Sequence, residues 1–486
     1  MLKANQLFDL KKYKKGEACG LPTVDELRAS LDSFAASEAR VQLSMLFDKD
    51  TFVETNAYTR RSVSDFISVD TNELEGVITG YGSIAGKLVF AFAEDSSRMS
   101  GIIDERHAKK IEDLYSLAIK SGACVIGIFD SNGTDIFAGT SALAAYGRII
   151  NAVTKASGAI PQIAYVSGKC IGLAATIASM FDIVVKKNDA QFYVSSPELT
   201  GVKNAQDQAL AYTADAPHCA GYIRSILSQL PDSSASGIVV GDCADNINRK
   251  LGELDFAGDA LAEISVIADN GVYFEIAHDF EPSVSTVLTT VGGVKCGIVA
   301  TSYSKNDGRI TVGAARKISK FVNFCNAFSI PLVTLVDSAG LDVAKANESA
   351  YFAPELAKLA YAYSTSTMPK ITVIMGHAIG ASFVLLGSKA LGADLVYALD
   401  NAEIGALSAE SGVAFAWNDY ITLENSRADV VEQWKKTVST ASVAASSGEI
   451  DDIISTNELR ARICSALFML LSKGKVKIAE RKILPL

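Results

Sequence analysis

The sequence predicts an α/β protein built as two tandem, similar lobes, and three observations point to it. Two glycine-bearing turns occur twice: Asp130-Ser131-Asn132-Gly133 returns as Asp337-Ser338-Ala339-Gly340, 207 residues later, and Gly168-Lys169-Cys-Ile-Gly172 returns as Gly376-His377-Ala-Ile-Gly380, 208 residues later. Each Asp-Ser turn closes an apolar run of strand character, Val125–Phe129 in the first copy and Leu332–Val336 in the second. A helical pattern precedes both runs: Ile111, Leu114, Tyr115 and Ala118 fall at i, i+3, i+4 and i+7, as do Ile318, Phe321, Val322 and Cys325.

Taken in order, Val77-Ile-Thr opens a strand pair that Val287-Leu-Thr matches 210 residues on. The amphipathic helices follow and feed the strands that end in the Asp-Ser turns. Gln162–Val166 and Ile371–Met375 are the next strands, and each runs into its second glycine turn. The small and aliphatic residues after those turns read as buried helices. Asp182-Ile-Val-Val and Asp394-Leu-Val-Tyr then correspond at a separation of 212, so the second copy carries a four-residue insertion. Strands alternating with helices imply βαβ units with right-handed crossovers. That topology puts Gly133, Gly172, Gly340 and Gly380 beyond strand ends, where α/β folds hold ligands. Pro231-Asp-Ser-Ser-Ala-Ser-Gly237 is the clearest punctuation and starts the linker, dividing the chain into lobes 1–235 and 236–486.

Composition excludes several classes. Apolar residues make up 49% of the 486 and charged residues 21%, as in a core-forming globular chain. A net charge of −10 argues against a nucleic-acid partner. The eight cysteines (19, 124, 170, 219, 243, 296, 325, 464) show no paired spacing and no secretory signal precedes them, so reduced thiols in the cytoplasm are expected. Ile371–Leu386 is apolar, but it holds His377 and two glycines and falls short of the roughly 20 residues of a membrane span. No transmembrane segment is expected. The basic tail from Lys473 to Lys482 reads as a solvated surface segment.

The glycine turns carry the chemistry. Glycine lets backbone N–H groups approach a ligand, and the first amides of a helix lack internal partners and carry positive partial charge. Two such amides converging on one oxygen stabilise a developing enolate. Tight strand–helix packing also favours glycine, and both readings stay open for a single turn.

Longer stretches are more specific. Phe321-Val-Asn-Phe-Cys-Asn-Ala-Phe-Ser-Ile-Pro-Leu-Val-Thr-Leu-Val-Asp337, Leu359-Ala-Tyr-Ala-Tyr-Ser, Gly387-Ser-Lys389, Leu391-Gly-Ala-Asp394, Ala402-Glu-Ile404 and Gly448-Glu-Ile-Asp-Asp-Ile453 resemble the carboxyltransferase (β) subunit of biotin-dependent acyl-CoA carboxylases and decarboxylases. In the first half Ile126-Gly-Ile-Phe-Asp-Ser131, Ala144-Ala-Tyr-Gly147, Ser157-Gly-Ala-Ile-Pro-Gln162 and Ser44-Met-Leu-Phe-Asp48 to Phe52-Val-Glu54 are similar. The resemblance is dense from about Thr311 and thinner before it.

It implies two crotonase-like lobes of ββα repeats, a coenzyme A thioester held by the first and biotin, on a separate carrier, by the second. It implies backbone oxyanion holes at Gly172 and Leu173 and at Ala381 and Ser382, beside Gly380. Ser131, Gly133, Gly168, Lys169, Phe383 and Val384 become substrate-binding candidates, with Gly340 and Gly376 on the biotin side. Released CO₂ leaves a basic biotin nitrogen able to take the α-proton, so no side-chain base and no metal are required. The implied partners are acyl-CoA, a biotin carboxyl carrier, biotin carboxylase or decarboxylase subunits, and further copies of this chain in a hexamer arranged as a dimer of trimers. Propionyl-CoA/methylmalonyl-CoA is the first expectation for substrate.

The first lobe departs from the family pattern. The family's Gly-Gly-Ala-Arg reads Asn132-Gly133-Thr134-Asp135, replacing a cation with a carboxylate that repels phosphates. The paired glycines become Gly172-Leu173 and Gly380-Ala381. There is no Met-Lys-Met for biotin attachment, no P-loop and no four-cysteine zinc ribbon. Lys169 is a candidate phosphate contact or a solvated turn lysine; His377 reads as a hydrogen-bonded turn residue and Lys389 as a helix C-cap. The alternatives left standing are a decarboxylase transferase subunit, a non-catalytic scaffold paralogue and a crotonase-type hydratase or isomerase.

Overall fold

A computed structural model describes residues 23–33, 35–60, 74–134, 139–202, 211–243, 245–252 and 258–473. The first lobe opens with α1 (Val24–Asp32), α2 (Glu38–Leu46) and β1 (Val53–Thr55). A hairpin of β2 (Val77–Ile84) and β3 (Lys87–Glu94) leads to α3 (Glu105–Ser121), β4 (Cys124–Phe129), α4 (Thr140–Ala156) and β5 (Gln162–Val166). Then come β6 (Lys169–Ile171), α5 (Leu173–Ser179), β7 (Ile183–Lys187), β8 (Gln191–Tyr193), α6 (Pro197–Thr200), β9 (Tyr212–Ala214) and α7 (Ala216–Gln229).

The second lobe contains α8 (Ala260–Ile267), β10 (Tyr273–Ile276), β11 (Val284–Val291), β12 (Val294–Thr301), α9 (Val312–Ala327), β13 (Leu332–Ser338), α10 (Lys345–Ser349) and α11 (Phe352–Thr365). It continues through β14 (Lys370–Ile379), α12 (Ala381–Leu385), β15 (Leu395–Leu399), β16 (Glu403–Gly405), α13 (Ala409–Ala416), α14 (Arg427–Thr437), α15 (Ala441–Ser446), β17 (Asp452–Ile454) and α16 (Leu459–Leu470). Residues 231–237 follow α7, and Val240 beyond them already bridges Val294 of the second lobe.

The two sheets repeat one plan. Their orders are β1-β2-β3-β4-β5-β7-β9 and β10-β11-β12-β13-β14-β15-β17, with β16 beside β14. Each starts with an antiparallel hairpin and continues in parallel. The hairpins turn on two residues with positive φ, Ala85–Gly86 and Gly292–Gly293, the backbone that suits a tight right-twisted hairpin. These turns set the register: Val77 faces Glu94 and Val284 faces Thr301. The counterpart of Val77 is therefore Val284, not Val287. Val284-Ser-Thr and Val287-Leu-Thr both fit the Val-x-Thr pattern, and only the turn distinguishes them.

The helices bury the stripes their spacing marks. Ile111, Leu114, Tyr115 and Ala118 of α3 and Ile318, Phe321, Val322 and Cys325 of α9 are all buried. Asp104 caps α3 by accepting from the Arg106 and His107 amides at 2.8 and 2.9 Å, and Thr311 caps α9 through the Ala314 amide at 2.9 Å. The insertion lies between β14 and β15: Asp182 accepts the Gln162 amide and Asp394 the Lys370 amide, both at 2.8 Å. Lys473 reaches Asp394 at 2.7 Å and the Met368 carbonyl at 3.0 Å, so the tail starts anchored rather than solvated. Residues 474–482 lie outside the described residues.

One apolar cluster runs through both lobes, joining Ile223 and Leu227 of α7 to Leu288 of β11 and Phe321 of α9. At that seam Tyr222 stacks on Tyr212 at 4.3 Å and donates its hydroxyl to the Glu275 carbonyl at 2.8 Å. A second cluster in the first lobe centres on Phe92, Phe129 and Phe181, whose rings meet edge-on at 5.5–6.4 Å. Gly127 is glycine because a Cβ there would lie 2.5 Å from the Phe92 ring. Phe92→Ala should cost about 3–5 kcal/mol by leaving this cavity unfilled, measurable as a lowered midpoint in denaturant titration.

Candidate active site

The two lobes build the same turn from the same contacts. Asp130, just beyond β4, accepts the Lys169 amide through Oδ1 at 2.9 Å and the Ser96 hydroxyl through Oδ2 at 2.5 Å. Asp337 in β13 accepts the His377 amide at 2.7 Å and the His377 ring Nδ1 at 2.8 Å. Gly168 and Gly376 are required by this approach, since a Cβ would fall 2.0 Å from the Asp130 carboxylate and 2.6 Å from that of Asp337. Beneath each turn a left-handed non-glycine residue, Ser100 (φ 58°) or Asp307 (φ 50°), presents its carbonyl to the Asn132 or Ala339 amide at 3.0 and 2.9 Å.

The serines of the motifs hold the loops. Ser131 is buried; its hydroxyl donates to the Gly101 carbonyl at 2.6 Å and accepts the Gly133 amide at 3.0 Å. It is a support, not the substrate contact expected from sequence. Ser338 accepts the Gly340 amide in the same way at 3.2 Å. The Gly340 carbonyl accepts the Ile310 amide at 3.0 Å, and Gly340 lies close to the Ile379 carbonyl at the end of β14.

The next pair of glycines starts the helices. Gly172 (φ 62°, ψ −126°) and Gly380 (φ 59°, ψ −128°) occupy a region closed to residues with a Cβ. Their own amides are committed, Gly172 to the Tyr193 carbonyl at 3.0 Å and Gly380 to the Gly405 carbonyl at 2.8 Å. The amides opening α5 and α12, Leu173–Ala174 and Ala381–Ser382, have no carbonyl one turn back to receive them. The Gly172 amide, expected to face substrate, is thus committed within the protein: Gly172 supplies the bend, and by position Leu173 with Ala174 matches Ala381 with Ser382. The Ser382 hydroxyl is turned inward, donating to the Ile379 carbonyl at 2.8 Å, so what that residue offers outward is backbone.

A cavity opens at each helix start. That of the first lobe, about 320 Å³, is lined by Asn132, Gly133, Tyr146, Ile171, Leu173 and Val194. That of the second, about 610 Å³, is lined by Gly380, Phe383, Val384, Leu407, Trp434 and Val438 and is strongly apolar. Phe383 and Val384 line the cavity of the second lobe, and Phe383 also packs against the main apolar cluster. A third cavity, about 350 Å³, lies at the interlobe seam near the start of β7, at the strand ends opposite the turns.

Lys169 bridges its own turn, its Nζ donating to Asn132 Oδ1 at 2.9 Å. His377 holds the matching position and stacks on Tyr303 at 4.1 Å, while burial pushes the Tyr303 hydroxyl upward. Lys389 pairs with Asp451 at 2.5 Å and is not a helix cap. Asp135 lies outside the described residues. Sequence reasoning missed Asp130 and Asp337 as clasps, although both stand in the repeated motif. It also missed Trp434, for which the repeat holds no signal.

Residues 37–483 match the carboxyl transferase domain. The chain belongs to the carboxyl transferase family. This carboxyltransferase is 33% identical over 471 residues to methylmalonyl-CoA decarboxylase subunit alpha of Veillonella parvula, covering 91% of this chain and 92% of that one. It is 32% identical over 474 residues to the human mitochondrial propionyl-CoA carboxylase beta chain, covering 91% and 87%. A solved structure of transcarboxylase 12S, a hexamer with methylmalonyl-coenzyme A bound, superposes with a TM-score of 0.88 at 27% identity, covering 96% of this chain and 100% of that one. The expected tandem crotonase-like lobes and the carboxyltransferase membership are both borne out.

Gly168→Ala and Gly376→Ala in this carboxyltransferase should each cost about 1–3 kcal/mol, because the new methyl forces the aspartate off its amide. Gly147→Ala, within α4 and with no atom near its missing Cβ, should instead stabilise by about 0.5–1 kcal/mol. Thermal unfolding of the three variants checks the contrast.

Proposed function

We propose that this chain moves a carboxyl group between biotin, carried on a separate protein, and a short acyl-CoA, with methylmalonyl-CoA/propionyl-CoA the first pair to test. The observation behind this reading is the paired turn: two glycine-initiated helices present matched backbone amides, each to its own cavity. The Leu173 and Ala174 amides would hold the thioester oxygen as negative charge develops there. The Ala381 and Ser382 amides would hold the ureido oxygen of biotin. When bound, biotin supplies the nitrogen that gives up or accepts the carboxyl group. The fit of the second cavity is chemical: Phe383, Val384, Leu407 and Trp434 offer apolar walls for a ring system whose polar edge meets the helix amides.

The lobes proposed for the two substrates are residues 1–235 and 236–486. Apolar side chains stand exposed in both lobes, Leu173, Val194 and Leu199 in the first and Val343, Tyr351 and Phe415 in the second. Exposed apolar groups of this kind favour association. We place the first turn of one copy against the second turn of another within a hexamer. A biotin carrier and a carboxylase or decarboxylase subunit would complete the system, in the cytoplasm. Among the described residues no helix is long and apolar enough to cross a membrane. Decarboxylation is favoured as the direction by the Veillonella parvula relative, which is named for it.

The purified chain incubated with methylmalonyl-CoA and free biotin should release CO₂ in a biotin-dependent manner. Gly380→Val should lower that rate about 10²–10³-fold while leaving circular dichroism unchanged, because any side chain there redirects the α12 amides. Full activity in Gly380→Val would remove the second turn from the site. Absence of turnover with every acyl-CoA, together with stable co-purification with a biotinylated protein, would replace the enzyme reading with a scaffold.

A further inference from the structure

The cavity of about 350 Å³ at the interlobe seam belongs to neither turn. Both lobes build its walls: the start of β7 and Ala211 from the first, and the end of β10, Thr286 and one side of α9 from the second. Most of the lining is apolar, with Ile183, Ile276, Phe280, Phe321 and Phe324 in it, while three cations of α9 stand against a single acid, Asp182. These charges are not equally available. Arg316 is held by Glu355, whose carboxylate lies 3.3 Å from its Nε. Lys317 is buried, and its Nζ donates to the Phe280 and Val284 carbonyls at 2.7 and 2.6 Å. Asp182 accepts the Gln162 amide at 2.8 Å. Lys320 differs: it is open to solvent on one side, and its ammonium makes no hydrogen bond or ion pair among the described residues. Desolvation by the surrounding protein lowers its pKa, and the Asp182 charge opposes that only in part.

The duplication separates scaffold from site. Lys110 stands 207 residues before Lys317 and ties its helix to the hairpin in the same way, through the Val77 carbonyl. That tether is common to both lobes. Lys320 is not, because its counterpart is Asp113, which pairs with Lys109 of its own helix at 2.6 Å. Phe324 corresponds to Leu117, which is 46% exposed, whereas Phe324 lines the cavity and packs on Phe328 at 5.2 Å. The unpaired cation and the aromatic wall therefore occur only in the copy that meets the seam.

We propose that the seam cavity is a binding site for a small amphipathic carboxylate, its apolar body against Phe280, Phe321 and Phe324 and its charged end on Lys320. A mostly apolar pocket of this size with a few polar groups is the usual form of a small-molecule site. An ammonium without a partner in desolvating surroundings is stabilised by an anion that forms a charge-assisted hydrogen bond with it. The neighbouring Asp182 carboxylate favours a monoanion over a phosphate dianion, which it would repel more strongly. Because the walls come from both lobes, an occupant bridges them and stabilises the folded chain. The turns lie at the other ends of the strands, so this ligand and an acyl-CoA do not compete.

Straight-chain carboxylates from butyrate to decanoate, with octanol and inorganic phosphate as controls, would be titrated onto the full chain by calorimetry and by thermal shift. At least one carboxylate should bind and raise the thermal midpoint, with octanol and phosphate at least about tenfold weaker. Lys320→Gln should weaken that carboxylate about tenfold or more, and Lys320→Arg, which keeps the charge, should bind as the unsubstituted chain does. Both variants should fold, since the Lys320 side chain is exposed and holds no hydrogen bond among the described residues. Saturating methylmalonyl-CoA should leave the carboxylate affinity unchanged. Failure of every carboxylate to bind, equal or tighter binding of octanol or phosphate, undiminished binding by Lys320→Gln, or displacement by methylmalonyl-CoA would each overturn the proposal. None of these readouts depends on turnover, so they test the seam cavity whether or not the proposed carboxyl transfer is observed.

Discussion

A carboxylate at the end of a central strand, gripping the backbone amide at the start of the neighbouring turn, organises both halves of this protein. Asp130 holds the Lys169 amide at 2.9 Å and Asp337 the His377 amide at 2.7 Å. An ionised acceptor makes these bonds stronger than ordinary backbone pairs. Their closeness dictates glycine at 168 and 376, and the glycine dictates where the chain leaves the sheet. Four residues later the chain bends again at Gly172 or Gly380, and a helix begins with its unpaired amides facing a cavity. The side chains around the clasp have changed between the copies, Lys169 to His377 and Glu94 to Thr301, while the clasp itself has not.

The lobes nonetheless diverge in what they offer. The first has the smaller cavity, a lysine tied across the turn and a set of ionisable groups buried behind it. The second has the larger, apolar cavity and a histidine clamped between Asp337 and Tyr303. On the function proposed, such division suits two substrates of different polarity, a phosphate-bearing thioester and a compact bicyclic ring. The apolar cluster that crosses the seam makes the two lobes one packed body, so they share stability although they differ in chemistry.

The path of the fold was legible because duplication doubles every weak signal. A helical stripe, an Asp-Ser turn and two glycines recurring at nearly constant separation mark the βαβ units without any measured coordinate. Three details were not legible, each for its own reason. The hairpin register was ambiguous because Val284 and Val287 both begin a Val-x-Thr, and only the turn at Gly292–Gly293 decides. That the Gly172 amide is already occupied was hidden because its bond to Tyr193 joins segments that no local pattern connects. Ser131 looked available because its buried hydroxyl depends on Gly101, 30 residues away in sequence.

Gly172 and Gly380, at φ near 60° and ψ near −127°, carry a consequence for how such a protein ages. What these bends deliver is main-chain N–H, which every residue but proline owns. Leucine can follow one bend and alanine the other without removing a hydrogen-bond donor. Chemistry stored in the course of the backbone lets the surrounding letters drift, as a TM-score of 0.88 at 27% identity illustrates. A mutational scan of this chain would then find its most intolerant positions at residues that have no side chain at all.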